Sequence, residues 1–291
     1  MKYYYLFPFL SSVLYVVGAM FIKQCTERGA GVWRITFVSN LVSAVMYLPM
    51  LWMGGEWPEA SQFWQPALAG SLFIAAQAFS FWALQKGDVS VATPVLGLKP
   101  VIVALLVVLI IGDKISKQLW ISAALSAAGV AMLNATRNAR HHHVLATILI
   151  ALIGGTCFSL FDVLIQKFTG DWDTRRFLPA MFGFVTLYSL AFIPFFSAPL
   201  KAIPRPAWKP LAWGAFFLGL QGIIFISSIG TFGDATALNI IFSSRGLWSV
   251  VAVWCIGHWF ANAEKELGTA VLAKRLIGAA LMLAAIVLTL I

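Results

Sequence analysis

The sequence predicts an all-α integral membrane protein of ten transmembrane helices, built as two inverted five-helix repeats. Three observations predict it. Of its 291 residues, 60% are hydrophobic and 11% charged, whereas a soluble domain carries about 25% charged residues. The apolar residues gather into ten runs, each near the roughly 20 residues that cross a bilayer as a helix. The second half of the chain also repeats the first.

In chain order the runs are 3–22, 32–53, 63–85, 89–112 and 119–135, then 144–167, 177–197, 208–231, 235–258 and 271–291. The first has the outline of a signal peptide, with Lys2 before it and the small residues Gly18 and Ala19 near its end. The repeat needs this segment, so it is expected to be a retained helix. Short polar joints such as GDKISK, GDWDTRR and PRPAWK leave no room for a soluble domain. The basic stretch ATRNARHHHV between the fifth and sixth runs is expected to be a connector, not a metal site. Cys25, Cys157 and Cys255 have no paired spacing and read as small apolar residues. A net charge of +9 fits lipid headgroups better than nucleic acid, because most of the bases lie between apolar runs.

The repeat is seen by setting GDVSVATPVLGLKPVIVALLVVLIIG, from Gly87, beneath GDATALNIIFSSRGLWSVVAVWCIGH, from Gly233, an ungapped offset of 146 residues. Gly87-Asp88 meets Gly233-Asp234, Thr93 meets Asn239, and Lys99 meets Arg245. LFIAAQAF matches FFLGLQGI after a two-residue gap, which places Gln77 on Gln221. SSVLYVVGAMFIK matches GTCFSLFDVLIQK, with Lys23 on Lys167. Hence residues 1–136 form one repeat, 137–143 a linker and 144–291 the second. Five is odd, so the second half enters the membrane in the opposite sense, the arrangement of secondary transporters with sites near the midplane.

These motifs resemble the ten-helix EamA-type members of the drug/metabolite transporter superfamily, over essentially the whole chain. The matching features are Pro100-Val101 followed by IVALLVVLIIGDKIS, and LIGAALML in the last run. The family's usual Glu after the first of these is Asp113 here, and it is missing from the second half, where GHWFANAEKEL stands. The resemblance implies a permease with cytoplasmic termini, in the plasma membrane (the inner membrane of a bacterium). Charge counting points the other way: six Lys and Arg lie on the side of the termini and twelve on the other, leaving out Lys99 and Arg245.

Lys99 lies eleven residues after Asp88, about 16 Å into its span at 1.5 Å per residue. Arg245 is at the matching depth. A base so deep is costly and is retained for a function. Asp162 is the one convincing mid-span acid, and one carboxylate cannot neutralise two bases. The bases either contact substrate or form a Lys–Asp–Arg structural network. No Glu lies within a span, and two central cations would repel organic cations. The expected cargo is therefore a small anionic or zwitterionic metabolite: an amino acid, a carboxylate or a phosphate ester, which Arg can hold through two hydrogen bonds. Gln77 and Gln221 are expected either to bind substrate or to bond between helices, and Thr93 and Asn239 to line the cavity. Pro94 and Pro100 should break the fourth helix beside Lys99, and Gly246 is a softer counterpart.

Trp82, Trp213, Phe217 and Trp248 are expected to pack or anchor. SAALSAAG and GAALMLAA suit close helix contact, and His258 reads as interfacial. No cofactor or metal is expected, and the chain should act as a monomer. An enzyme is disfavoured by the lack of HExxH, GxSxG, GxGxxG and P-loop motifs. A channel or scaffold, or export of drug-like compounds, would leave the paired cations unexplained.

Overall fold

The computed structural model describes residues 2–86, 89–133, 144–256 and 269–291, without the side chains of 86, 89–90, 253–256 and 269–272. Gly87-Asp88, the 137–143 linker with its histidines, Cys255 as a side chain and His258 all lie outside the described residues. The described chain is helical. In hydrocarbon an exposed amide has no water partner, so each apolar run satisfies its backbone internally as a helix.

The helices are α1 (Leu6–Glu27), α2 (Val32–Tyr47), α3 (Trp64–Lys86), α4 (Val89–Leu96), α5 (Lys99–Leu106) and α6 (Lys117–Leu133). There follow α7 (Val144–Phe168), α8 (Thr174–Ser189), α9 (Arg205–Phe232), α10 (Ala235–Phe242), α11 (Arg245–Ile256) and α12 (Thr269–Leu290). Among the described residues, eight helical stretches are long and apolar enough to cross a membrane, and Lys117–Leu133 is a shorter apolar helix. The remaining pair, α10 and α11, lies on either side of Ser243-Ser244. The protein is a multi-pass membrane protein.

Local sequence sets the interruptions. α9 ends at Gly233, whose left-handed φ of 62° suits glycine, and Asp234 then caps α10 by accepting from the Ala237 amide. Asp173 caps α8 in the same way through the Arg175 amide. α5 closes in a π-helical turn, Val107–Ile111, that runs into Gly112 at φ 88°.

Packing pairs each half with the other. α1 packs on α9 and α3 on α7; α2 lies against α9 and α8 against α3. α4 packs on α7, while α10 and α11 pack on α1. If each span is equated with the one five further on, every contact in this set maps onto another member of it. α2·α8 and α6·α12 map onto themselves.

The α6·α12 contact is the close approach expected of the small-residue patches. A Cβ at Gly278 would stand 2.8 Å from the Leu133 amide nitrogen and 2.9 Å from the Gly129 carbonyl oxygen. Backbone cannot yield as a side-chain tip can. Gly278→Val is therefore expected to pry α12 from α6 and lower the thermal midpoint by several degrees, whereas Gly183→Ala, with no atom within 4 Å of its Cβ, should not. Equal midpoints for the two variants would show that this contact is not tight.

Candidate functional site

Two broken helices build the site. α4 stops at Leu96 and α5 resumes at Lys99; α10 stops at Phe242 and α11 resumes at Arg245. Both breaks thus fall at the same register of the repeat, immediately before the cation. In the first half Pro100 supplies no amide, and the Val101 and Ile102 amides turn back to the Leu98 carbonyl. The second break has no proline. There the Ser243 amide bonds the carbonyls of Asn239 and Ile240, and its hydroxyl also donates to Asn239. Sequence reasoning expected only a softer counterpart here. Such a back-bond bends a helix only slightly, and Ser159 and Ser228 make the same bond inside the unbroken α7 and α9, so the serine alone does not account for the second break.

The two breaks present their cations differently. Lys99 Nζ lies 2.7 Å from Asp162 Oδ2, and the same oxygen accepts from Asn239 Nδ2 at 2.8 Å. The pair is well enclosed, with side chains 13% and 2% exposed. The rings of Phe158 and Phe225 each stand 5.7 Å from the ammonium. Arg245 has no carboxylate among the described residues. Its guanidinium lies 5.0 Å from the Tyr15 ring and 4.7 Å from the Phe242 ring, and no ion pair reaches it among the described residues. Two bases and one acid leave the cluster with one positive charge in excess.

Lys99 and Arg245 are both shared by two cavities. One, of about 500 Å³, is lined by both helix breaks at Gly97 and Ser243, by Thr93 and Asn239, and by Lys23, Leu133 and Arg275 towards the far side. The other, of about 430 Å³, contains Asp162, Gln77 and Gln221 and runs outward past Leu84 and Thr26. All seven sequence-predicted site residues therefore line this pair of cavities, Thr93 and Asn239 on the wall of the larger and Gln77, Gln221 and Asp162 on that of the smaller.

The glutamines part company. Gln77 and Asn40 exchange both amide hydrogen bonds at 3.0 Å, and Asn40 also donates to Ser189 at 2.8 Å, tying α3, α2 and α8 together. Among the described residues, Gln221 donates only to Leu218, within its own helix, and its Oε1 accepts no bond. Sequence reasoning missed Asn40, which belongs to a polar stripe on α2: Thr36, Ser39, Asn40 and Ser43, all on the wall of the 430 Å³ cavity. Their i, i+3, i+4, i+7 spacing was a readable signal. It also missed the aromatic wall of Tyr15, Phe158, Phe225 and Phe242. Trp82, Trp213, Phe217 and Trp248 line neither cavity. Trp213 stacks on Phe217 and Phe217 on Phe21; Trp248 meets Phe9 edge-on, and Trp82 meets Trp33.

The side carrying the termini is sealed. Tyr5, Tyr47, Phe168, Trp172 and Phe177 are buried in one cluster there. Asp234 accepts from the hydroxyls of Tyr4 and Tyr5 and pairs with Lys2 at 3.3 Å. Tyr4 and then Asp234 hold the Lys2 ammonium above the ordinary lysine range. Across the same face, Arg176 donates to the carbonyls of Leu51 and Gly55, and Arg175 to that of Met53. Hydrogen bonds from Arg175 in turn hold the Asp173 carboxyl below its usual value. Among the described residues, the cavity walls run from the cations to Lys23 and Thr26, near the end of α1 away from the termini.

Residues 2–135 match the EamA-like transporter family. One solved crystal structure of a protein is similar over the full length: 18% identical, covering 100% of this chain and 99% of its own, with a TM-score of 0.77. That likeness shows the fold. No curated protein matches the chain.

Proposed function

We propose that this chain, whose residues 2–135 match the EamA-like transporter family, is a membrane transporter of the drug/metabolite type and carries a small anionic or zwitterionic metabolite. Amino acids, carboxylates and phosphate esters are the classes considered. The observation behind this reading is the charge count at the cavity among the described residues: Lys99 is answered by Asp162, and no carboxylate among them answers Arg245. A guanidinium without a carboxylate in a low-dielectric cavity attracts an anion and repels an organic cation. Arg245 is the main ligand for the cargo, and Lys99 with Asp162 and Asn239 forms the floor beneath it.

The cargo crosses by alternating access. The halves 1–136 and 144–291 rock about the two broken helices, the breaks serving as bending points. A cavity open on one side, with tyrosine, aspartate and arginine contacts closing the other, is what one end state of such a cycle requires. The termini-side contacts around Asp234 and Arg176 would part in the other state. The membrane is the plasma membrane, and the working unit is a monomer.

The test is a thermal-shift screen of purified protein against matched metabolites, followed by uptake into proteoliposomes. Monoanions and zwitterions are expected to raise the midpoint, and organic cations of similar size are not. Stabilisation by cations alone would overturn the reading.

A further inference from the structure

We infer that Gln221 and Ser39 form a second, uncharged end of the cavity, which accepts hydrogen bonds from hydroxyl or ammonium groups of the cargo. The inference rests on the reading that Arg245 holds the cargo's anionic group, and it narrows the cargo to a carboxylate that also carries an O–H or N–H donor.

The argument starts from the paired amides. Gln77 and Gln221 occupy matching positions in the two halves, yet only Gln77 is used to hold helices together, through its two bonds with Asn40. Phe184 stands 144 residues after Asn40, the offset that relates the two glutamines. Gln221 thus has no equivalent of Asn40 to bond. Among the described residues its Oε1 accepts nothing, and its Nε2 reaches only Leu218 in the preceding turn. Ser39 is buried with an unpartnered hydroxyl, whereas Thr36 on the same stripe spends its hydroxyl on the Val32 carbonyl. Both Gln221 and Ser39 line the cavity that contains Lys99, Asp162 and Arg245.

A buried carboxamide oxygen left without a donor is a cost that native interiors rarely carry without cause. Here the missing partner must be a donor, because the free atom of Gln221 can only accept. A neutral acceptor also discriminates more sharply than an apolar wall: a site built to bond a hydroxyl rejects the analogue that lacks it. Between the charged floor and the neutral acceptors the wall is aromatic, with Phe73, Phe158 and Phe225. That wall suits a short carbon chain joining the two polar ends.

The probes are straight-chain carboxylates from butanoate to octanoate, each compared with its ω-hydroxy and ω-amino forms, with affinity read by thermal shift of the full-length purified protein. At least one donor-bearing acid is expected to bind about threefold to tenfold more tightly than its unsubstituted counterpart. Gln221→Leu should remove that advantage and leave the unsubstituted acid's affinity unchanged. Ser39→Ala, a smaller change on the same wall, gives the same reading if Gln221→Leu aggregates. If unsubstituted acids bind through Arg245 but no donor-bearing acid gains, or the gain survives both substitutions, this inference fails and the anion site stands. If no carboxylate depends on Arg245, both fall together.

Discussion

Arg245→Gln is expected to weaken binding of the cargo anion about 30-fold or more, because truncating one partner of a desolvated charge contact costs roughly 2 kcal/mol at least. Uptake into proteoliposomes should fall to near background. Gln fills most of the volume between Tyr15 and Phe242, so elution and thermal midpoint should stay close to wild type. Arg245→Lys makes the argument sharper. It keeps the charge but loses the planar guanidinium that lies against two rings and the fork that grips a carboxylate at two points. It should recover part of the affinity and fall short of wild type. The opposing possibility is that Arg245 is only a packing residue. In that case Gln and Lys would behave alike in binding, and any loss would track the melting point.

Arg245 and not Lys99 is named first because of what their neighbours do, which the sequence did not show. Periodicity and the register match of Lys99 with Arg245 were enough to single out both cations, which line the same two cavities. The helical, membrane-crossing character of the apolar runs and the small-residue faces of α6 and α12 were legible for a similar reason: each is a local pattern with one physical reading in lipid. Side-chain pairing was not. Asp162 stands 63 residues after Lys99 and 83 before Arg245, and nothing in the linear order says which base it will meet. The same holds for Gln77 and Gln221, whose matching positions in the alignment conceal that only one has Asn40 across from it. The aromatic wall was hidden for a different reason. Apolar rings in a membrane helix face lipid, a neighbouring helix or a cavity with equal ease, so Trp213 and Phe225 look alike until packing separates them.

Asp162→Asn tests the floor of the site. The substitution keeps the side chain's shape and leaves an oxygen to accept from Asn239, but it strips Lys99 of its counter-ion. Breaking an enclosed pair from one side costs about 3–5 kcal/mol, since the remaining charge is left without compensation. A large drop in thermal midpoint is therefore expected, and Lys99→Met combined with Asp162→Asn should regain most of it. Charge also makes a second, independent demand. With Asp162 neutral, the cluster carries two positive charges in excess instead of one. The single variant should then favour a dianion such as succinate over butanoate more than wild type does, and the double variant should return towards the wild-type preference. A midpoint that does not move in Asp162→Asn would mean Lys99 is already well solvated in the cavity. An unchanged ratio of succinate to butanoate affinity would mean that the excess charge at this level of the membrane does not choose the cargo.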